Sequence, residues 1–162
     1  MMATKSNALP WLGLSLLLIG LDQWTKQLAL DHLVLHQPVP LIEGFWNWTL
    51  TFNEGAAFSL LSSGSGWQRW LFSGLAIGIS ALLVFWLSRI PRNDWRQALP
   101  FALIIGGALG NLIDRLRHGH VVDFVDWYWR DWHWPAFNIA DSAIVAAAVA
   151  LIIFGFAPPK SS

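Results

Sequence analysis

The chain has 162 residues, 55% of them hydrophobic and only 12% charged, with a mean hydropathy of +0.47. A soluble domain carries about 25% charged residues, so the composition reads as an integral membrane protein. The formal net charge is zero, which leaves no electrostatic footprint for nucleic acid, and the absence of cysteine removes disulfides, thiol nucleophiles and Cys-ligated metals.

Four segments are apolar enough, and about long enough, to cross a bilayer core that takes roughly 20 helical residues. They cover about 9–30, 67–90, 98–116 and 139–156 of a single membrane domain, 1–162. No A-x-A-like cleavage site follows the first, and three more spans do, so it reads as a permanent helix with Lys5 at its basic end. It closes on "DQWTK", where Asp22, Thr25 and Lys26 share one helix face. That face is either a self-neutralising Asp–Lys anchor or the polar wall of a site. The following segment, 31–66, holds "FWNWTLTFN" over 45–53, an alternating run of β-formers that predicts a strand or hairpin. "GAAF" and "SSGSG" then read as loop. Arg89, Arg92 and Arg96 crowd the link between spans two and three, with Lys5 and Lys160 at the two ends. By the positive-inside rule both termini and this link face the cytoplasm, although Arg115, Arg117 and Arg130 weaken the contrast. Segments 31–66 and 117–138 then face outward.

The third span holds "GGALGNLIDRLRHGH". Gly106 and Gly110 form a G-x-x-x-G that lets helices approach closely. Asn111, Asp114 and Arg115 share a face, as a structural network or as direct chemistry, with a pairing of Asp114 or Arg115 to Asp22 or Lys26 expected. In segment 117–138, "VVDFV" surrounds Asp123 with apolar residues, and "WYWRDWHW" over 127–134 is expected to lie along the membrane surface. The rival acids Asp126 and Asp131, among Trp and Arg, read as solvated. The fourth span opens on Asn138, Asp141 and Ser142. Capping explains an Asn and an Asp at a helix start. Yet an ionisable group at the edge of hydrocarbon is also a functional suspect. Asp123 and Asp141 fall on the same outer side. Two carboxyls brought together split their pKa values and act as general acid and general base. Such a pair hydrolyses peptide bonds without metal, thiol or serine.

"DQWTK" (22–26), "FNEGAAF" (52–58), "GGALGNLIDRLRHGHVVDF" (106–124) and "FNIADSAI" (137–144) together resemble the lipoprotein signal peptidases, or signal peptidase II, over nearly the whole chain. The resemblance implies a bacterial inner-membrane aspartyl peptidase with no cofactor. It implies a four-helix membrane bundle with a small outward-facing β-cradle and a short interfacial helix before the fourth span. The implied substrates are diacylglyceryl-modified prolipoproteins, cut just before the lipidated cysteine. Asp123 and Asp141 would be the catalytic pair. Asn53, Asn111, Arg115 and Asn138 would hold the substrate backbone or the dyad. Asp22 and Lys26, with Asp114, would be structural. The enzyme would work as a monomer in contact with membrane lipid, its site near the periplasmic face.

Three other readings stand beside this one, the plainest being a purely structural or lipid-binding membrane protein, which leaves Asp123 and Asp141 idle. His118, His120 and Asp123, with Asp114 or Asp141, offer ligands for a metal-dependent hydrolase. A small polar-solute transporter would also place Asp, Asn and Arg inside a membrane, but the inner halves of these spans are largely apolar.

Overall fold

A computed structural model describes residues 6–55 and 66–155. The loop expected over "GAAF" and "SSGSG" therefore lies almost wholly outside the described residues. After a short 3-10 turn come helix α1 (Leu12–His32), strands β1 (Val39–Ile42) and β2 (Trp46–Asn53), and helices α2 (Trp67–Leu87) and α3 (Trp95–His118). Strands β3 (Val121–Trp129) and β4 (Trp132–His133) follow, and helix α4 (Ile139–Gly155) closes the described chain.

The fold is mostly helical with one small antiparallel sheet. Helix α3 is its centre, packed against α1, α2 and α4. Three glycines make that close packing possible. A Cβ on Gly106 would stand 2.8 Å from the Leu18 side chain. One on Gly107 would stand 2.6 Å from the Ala140 carbonyl oxygen, and one on Gly110 would stand 2.6 Å from Asp22 Oδ2. At one end of the bundle Ala8, Leu83, Leu87, Ala98, Phe101 and Ile105 close an apolar core. Helices α2 and α3 are long and apolar enough to cross a membrane, while the apolar stretch of α4, Ile139–Phe154, is shorter. Large apolar side chains such as Leu16, Leu17, Ile77, Phe85, Val145 and Ile152 point outward from the helices. That is an inversion tolerated where the solvent is lipid.

The sheet covers the opposite end in the order β1-β2-β3-β4. Its central pair joins the two segments read as outward-facing. Asn53 stands opposite Val121, and Thr51 opposite Asp123, with a bulge between Trp48 and Thr51. Ala29 of α1, Leu50, Val122, Phe124 and Val125 form the core beneath it.

The short interfacial helix before the fourth span is not found. Residues 127–134 are instead the end of β3, a turn and β4. The run "VVDFVDWYW" is dense in β-branched and aromatic side chains, which fit a pleated surface better than a helix. Arg130 takes the left-handed turn conformation at φ 56°, and Tyr128 pairs with His133 across the hairpin.

Candidate active site

The N-terminus of α4, the C-terminal half of α3, the middle of α1 and the start of β3 converge beneath the sheet. Asn138 organises their meeting. Its side-chain Nδ2 donates to Asp123 Oδ1 at 2.8 Å, to Asn111 Oδ1 at 3.1 Å and to the Val122 carbonyl at 3.3 Å. Its Oδ1 accepts the Asp141 backbone N–H at 2.9 Å, and its own backbone N–H donates to Asp141 Oδ2 at 3.3 Å. This reciprocal pair is a capping box. Asp141 is thus a helix cap through Oδ2 and a site group through Oδ1, which accepts Asn111 Nδ2 at 2.8 Å. The two readings of Asp141 are compatible.

Asp123 is 2% exposed, whereas Asp141 is half-buried. Burial first, and the neighbouring negative charge of Asp141 second, push the Asp123 carboxyl up to about 7. Hydrogen bonds from Asn53 and Asn138 and the more distant Lys26 charge oppose the rise. Asn53 reaches Asp123 from β2 because the β2–β3 pairing sets the two strands side by side. Arg115 lies on the same side of α3. Its guanidinium sits 5.2 Å over the Phe72 ring and interacts electrostatically with Asp141, Asp123 and Asp114, and its Nε has no hydrogen-bond partner among the described residues.

Asp22, Lys26 and Asp114 form a buried network next to the pair. Lys26 Nζ lies 2.8 Å from Asp22 Oδ2 and 2.9 Å from Asp114 Oδ2, so the expected cross-helix partner of Lys26 is Asp114. Thr25 is not part of it: its hydroxyl turns back to the Leu21 and Asp22 carbonyls, each at 3.0 Å. Gln23 takes that place, donating to Asp114 Oδ1 at 2.8 Å and to the Gly110 carbonyl at 3.2 Å. Gln23 lies inside "DQWTK", and its signal there is an amide long enough to cross to α3.

Asp126 corrects another expectation. It is buried, not solvated, accepting Asn47 Nδ2 at 2.9 Å and pairing with His133 Nδ1 at 2.8 Å. The strand carries it inward, where Asn47 of β2 stands directly opposite. Asp131 is exposed. His120 stacks on Phe52 with ring centroids 4.0 Å apart, and Asp114 is engaged by Lys26, Gln23 and the Val122 N–H. Among the described residues no three His, Asp or Glu side chains converge to hold a metal.

The model of signal peptidase II matches residues 14–157. The chain belongs to the signal peptidase II family. It is 60% identical over 156 residues to a lipoprotein signal peptidase of Xanthomonas campestris pv. campestris strain 8004, covering 96% of this chain and 93% of that relative. It is 58% identical to a lipoprotein signal peptidase of Xylella fastidiosa strain M12, covering 98% and 95%. A solved bacterial membrane enzyme, determined in meso at 1.9 Å, superposes with a TM-score of 0.81 at 28% identity, covering 97% of this chain and all of that one. Membership in this family makes the chain a peptidase.

Proposed function

We propose that Asp123 and Asp141 are the catalytic dyad of an aspartyl endopeptidase. It removes signal peptides from diacylglyceryl-modified prolipoproteins, cutting before the lipidated cysteine. Signal-peptide removal follows from family membership and from the 60% identity to a lipoprotein signal peptidase. The observation that carries the dyad is the position of Asn138: one residue bonds both carboxyls, which come from separate segments.

In the reaction Asp123 carries the proton and Asp141 is the base. Asp141, the more exposed of the two, takes a proton from a water molecule. The hydroxide oxygen bonds to the scissile carbonyl carbon as Asp123 gives its proton to the carbonyl oxygen. The neutral tetrahedral intermediate collapses by breaking the C–N bond. Asp141 passes its acquired proton to the leaving cysteine nitrogen, and the hydroxyl proton returns to Asp123. Asn53, Asn111, Arg115 and Asn138 hold the substrate backbone and the dyad around these steps. Arg115 stabilises the negative charge that the dyad carries.

The enzyme is a single membrane domain with four crossing helices, both termini cytoplasmic, and the sheet and dyad at the outer face of the inner membrane. It acts as a monomer, with the substrate's lipid remaining in the bilayer. This placement suits a bond lying between a signal helix in lipid and a mature chain in water. The test is gel-shift cleavage of a diacylglyceryl-modified prolipoprotein by purified protein in detergent with EDTA. Cleavage by the native chain and none by folded Asp123→Asn or Asp141→Asn is expected. Turnover by either variant would remove that residue from the dyad.

A further inference from the structure

Lys26 touches neither proposed catalytic aspartate, yet every bond it makes leads to one of them. Its ammonium has three donors and three acceptors: Asp22 Oδ2 at 2.8 Å, Asp114 Oδ2 at 2.9 Å and Asn111 Oδ1 at 2.9 Å. Each of the two carboxylates then holds one backbone N–H. Asp22 Oδ1 accepts from Ala140, the residue before Asp141, at 3.0 Å. Asp114 Oδ2 accepts from Val122, the residue before Asp123, at 3.0 Å. A cation that binds both carboxylates therefore ties together the two chain segments that carry the dyad.

The third bond sets an orientation. An ammonium can only donate, so it dictates which end of the Asn111 amide faces it. With Oδ1 turned to Lys26 and Asn138, Nδ2 is left to donate to Asp141 Oδ1 at 2.8 Å. Asn138 Nδ2, bound to the same Asn111 oxygen, reaches Asp123 Oδ1. Each aspartate is reached twice, once through backbone and once through a side-chain amide. A self-neutralising pair within α1 would require only the bond between Lys26 and Asp22.

We propose that Lys26 is a positioning residue that fixes the separation and orientation of Asp123 and Asp141 through Asp22, Asp114 and Asn111. The inference rests on the dyad reading above. Its main effect is on the chemical step, because a small displacement of reacting groups costs on the order of 100-fold in rate.

The experiment measures kcat and KM of Lys26→Arg and Lys26→Met on a diacylglyceryl-modified prolipoprotein across pH, per folded molecule, beside Asp123→Asn. Arg keeps the charge but presents a planar fork that does not match three convergent acceptors. Both variants are expected to lose roughly 10- to 100-fold in kcat with KM unchanged. Asp123 is faced by Asp141, Arg115 and Lys26. Removing the Lys26 charge is therefore expected to move the basic limb of the pH profile upward in Lys26→Met and not in Lys26→Arg. If Lys26→Met fails to fold, Lys26→Met with Asp22→Asn removes one charge of each sign and is read in the same way. Native kcat and an unmoved pH profile in the folded variants, with Asp123→Asn inactive, would overturn the positioning role alone. Activity in Asp123→Asn would overturn the dyad on which it rests.

Discussion

At the scale of single residues, the proposed acid Asp123 governs the expected pH behaviour. Its carboxyl lies at about 7 in the folded chain against an ordinary 3.8. As general acid it must be protonated, so kcat/KM is expected to fall about tenfold per pH unit above roughly 7. A gel-shift assay from pH 5 to 9 reads this directly, and a flat profile above 7 would count against Asp123 as the acid. The same shift bears on stability. A raised carboxyl binds more protons folded than unfolded, so its contribution is complete below 3.8 and is lost as pH rises through about 7. Asp123→Asn abolishes that loss. Its unfolding free energy relative to the native chain should rise by about 1.4 kcal/mol per pH unit between 3.8 and about 7 and then level off, read as a melting-temperature difference that grows over that range. Asp126 behaves differently. It is buried between Asn47 and His133, so Asp126→Asn is expected to lower thermal stability by about 1–3 kcal/mol and to leave kcat unchanged. Abolished turnover in a folded Asp126→Asn would make it a rival for the dyad.

At the scale of elements, α3 places the site through its glycines. A Cβ on Gly107 would meet the Ala140 backbone oxygen at 2.6 Å and Ile144 at 2.8 Å. A backbone atom cannot swing aside, so Gly107→Ala must move α4 itself, and with it Asp141 one residue away. The expected cost is about 1–3 kcal/mol together with reduced cleavage, measured by melting temperature and kcat on one preparation. Full activity at native stability would show that the α3–α4 contact has slack. Helices were the legible elements because each is built on a long, mainly apolar run interrupted only by clustered polar residues. The polar clusters were legible because three-and-four spacing puts Asn111 with Arg115 and Asn138 with Asp141 on single faces. Strand β3 was partly hidden. Asp123 stood out among valines, but nothing local tells a membrane-surface segment from a strand whose partner, β2, lies more than sixty residues earlier. The same gap misplaced Asp126, whose partner Asn47 is supplied by that pairing. Gln23 was missed because its role depends on the distance between α1 and α3, which a single helix does not encode.

At the scale of the whole molecule, the arrangement is polar along the bundle axis. The sheet, the dyad and Trp46, Trp48, Trp67, Trp70, Trp127, Trp129, Trp132 and Trp134 gather at one end, while Trp11, Trp86 and Trp95 mark the other. Trp prefers the interface between lipid and water, so the two groups outline where a bilayer would begin and end. Arg89 and Arg92 of the α2–α3 link and Arg96 in the first turn of α3 lie at the end away from the sheet, against Arg69, Arg115, Arg117 and Arg130 toward it. The topology proposed above keeps the α2–α3 link in the cytoplasm and has Asp123 and Asp141 on the outer side. The chain contains no cysteine, so a single introduced thiol gives an unambiguous label. Asp131, in the exposed β3–β4 turn, and Asn93, in the exposed α2–α3 link, are the two positions to compare. In intact spheroplasts a membrane-impermeant maleimide is expected to label Asp131→Cys and to spare Asn93→Cys until the membrane is permeabilised. The reverse pattern would place the dyad in the cytoplasm, where no secreted lipoprotein precursor exposes its cleavage site. Labelling of both without permeabilisation would mean that the link is not retained inside. In that case the four-crossing topology would have to be redrawn around α2 and α3, the two helices among the described residues that are long and apolar enough to cross a membrane.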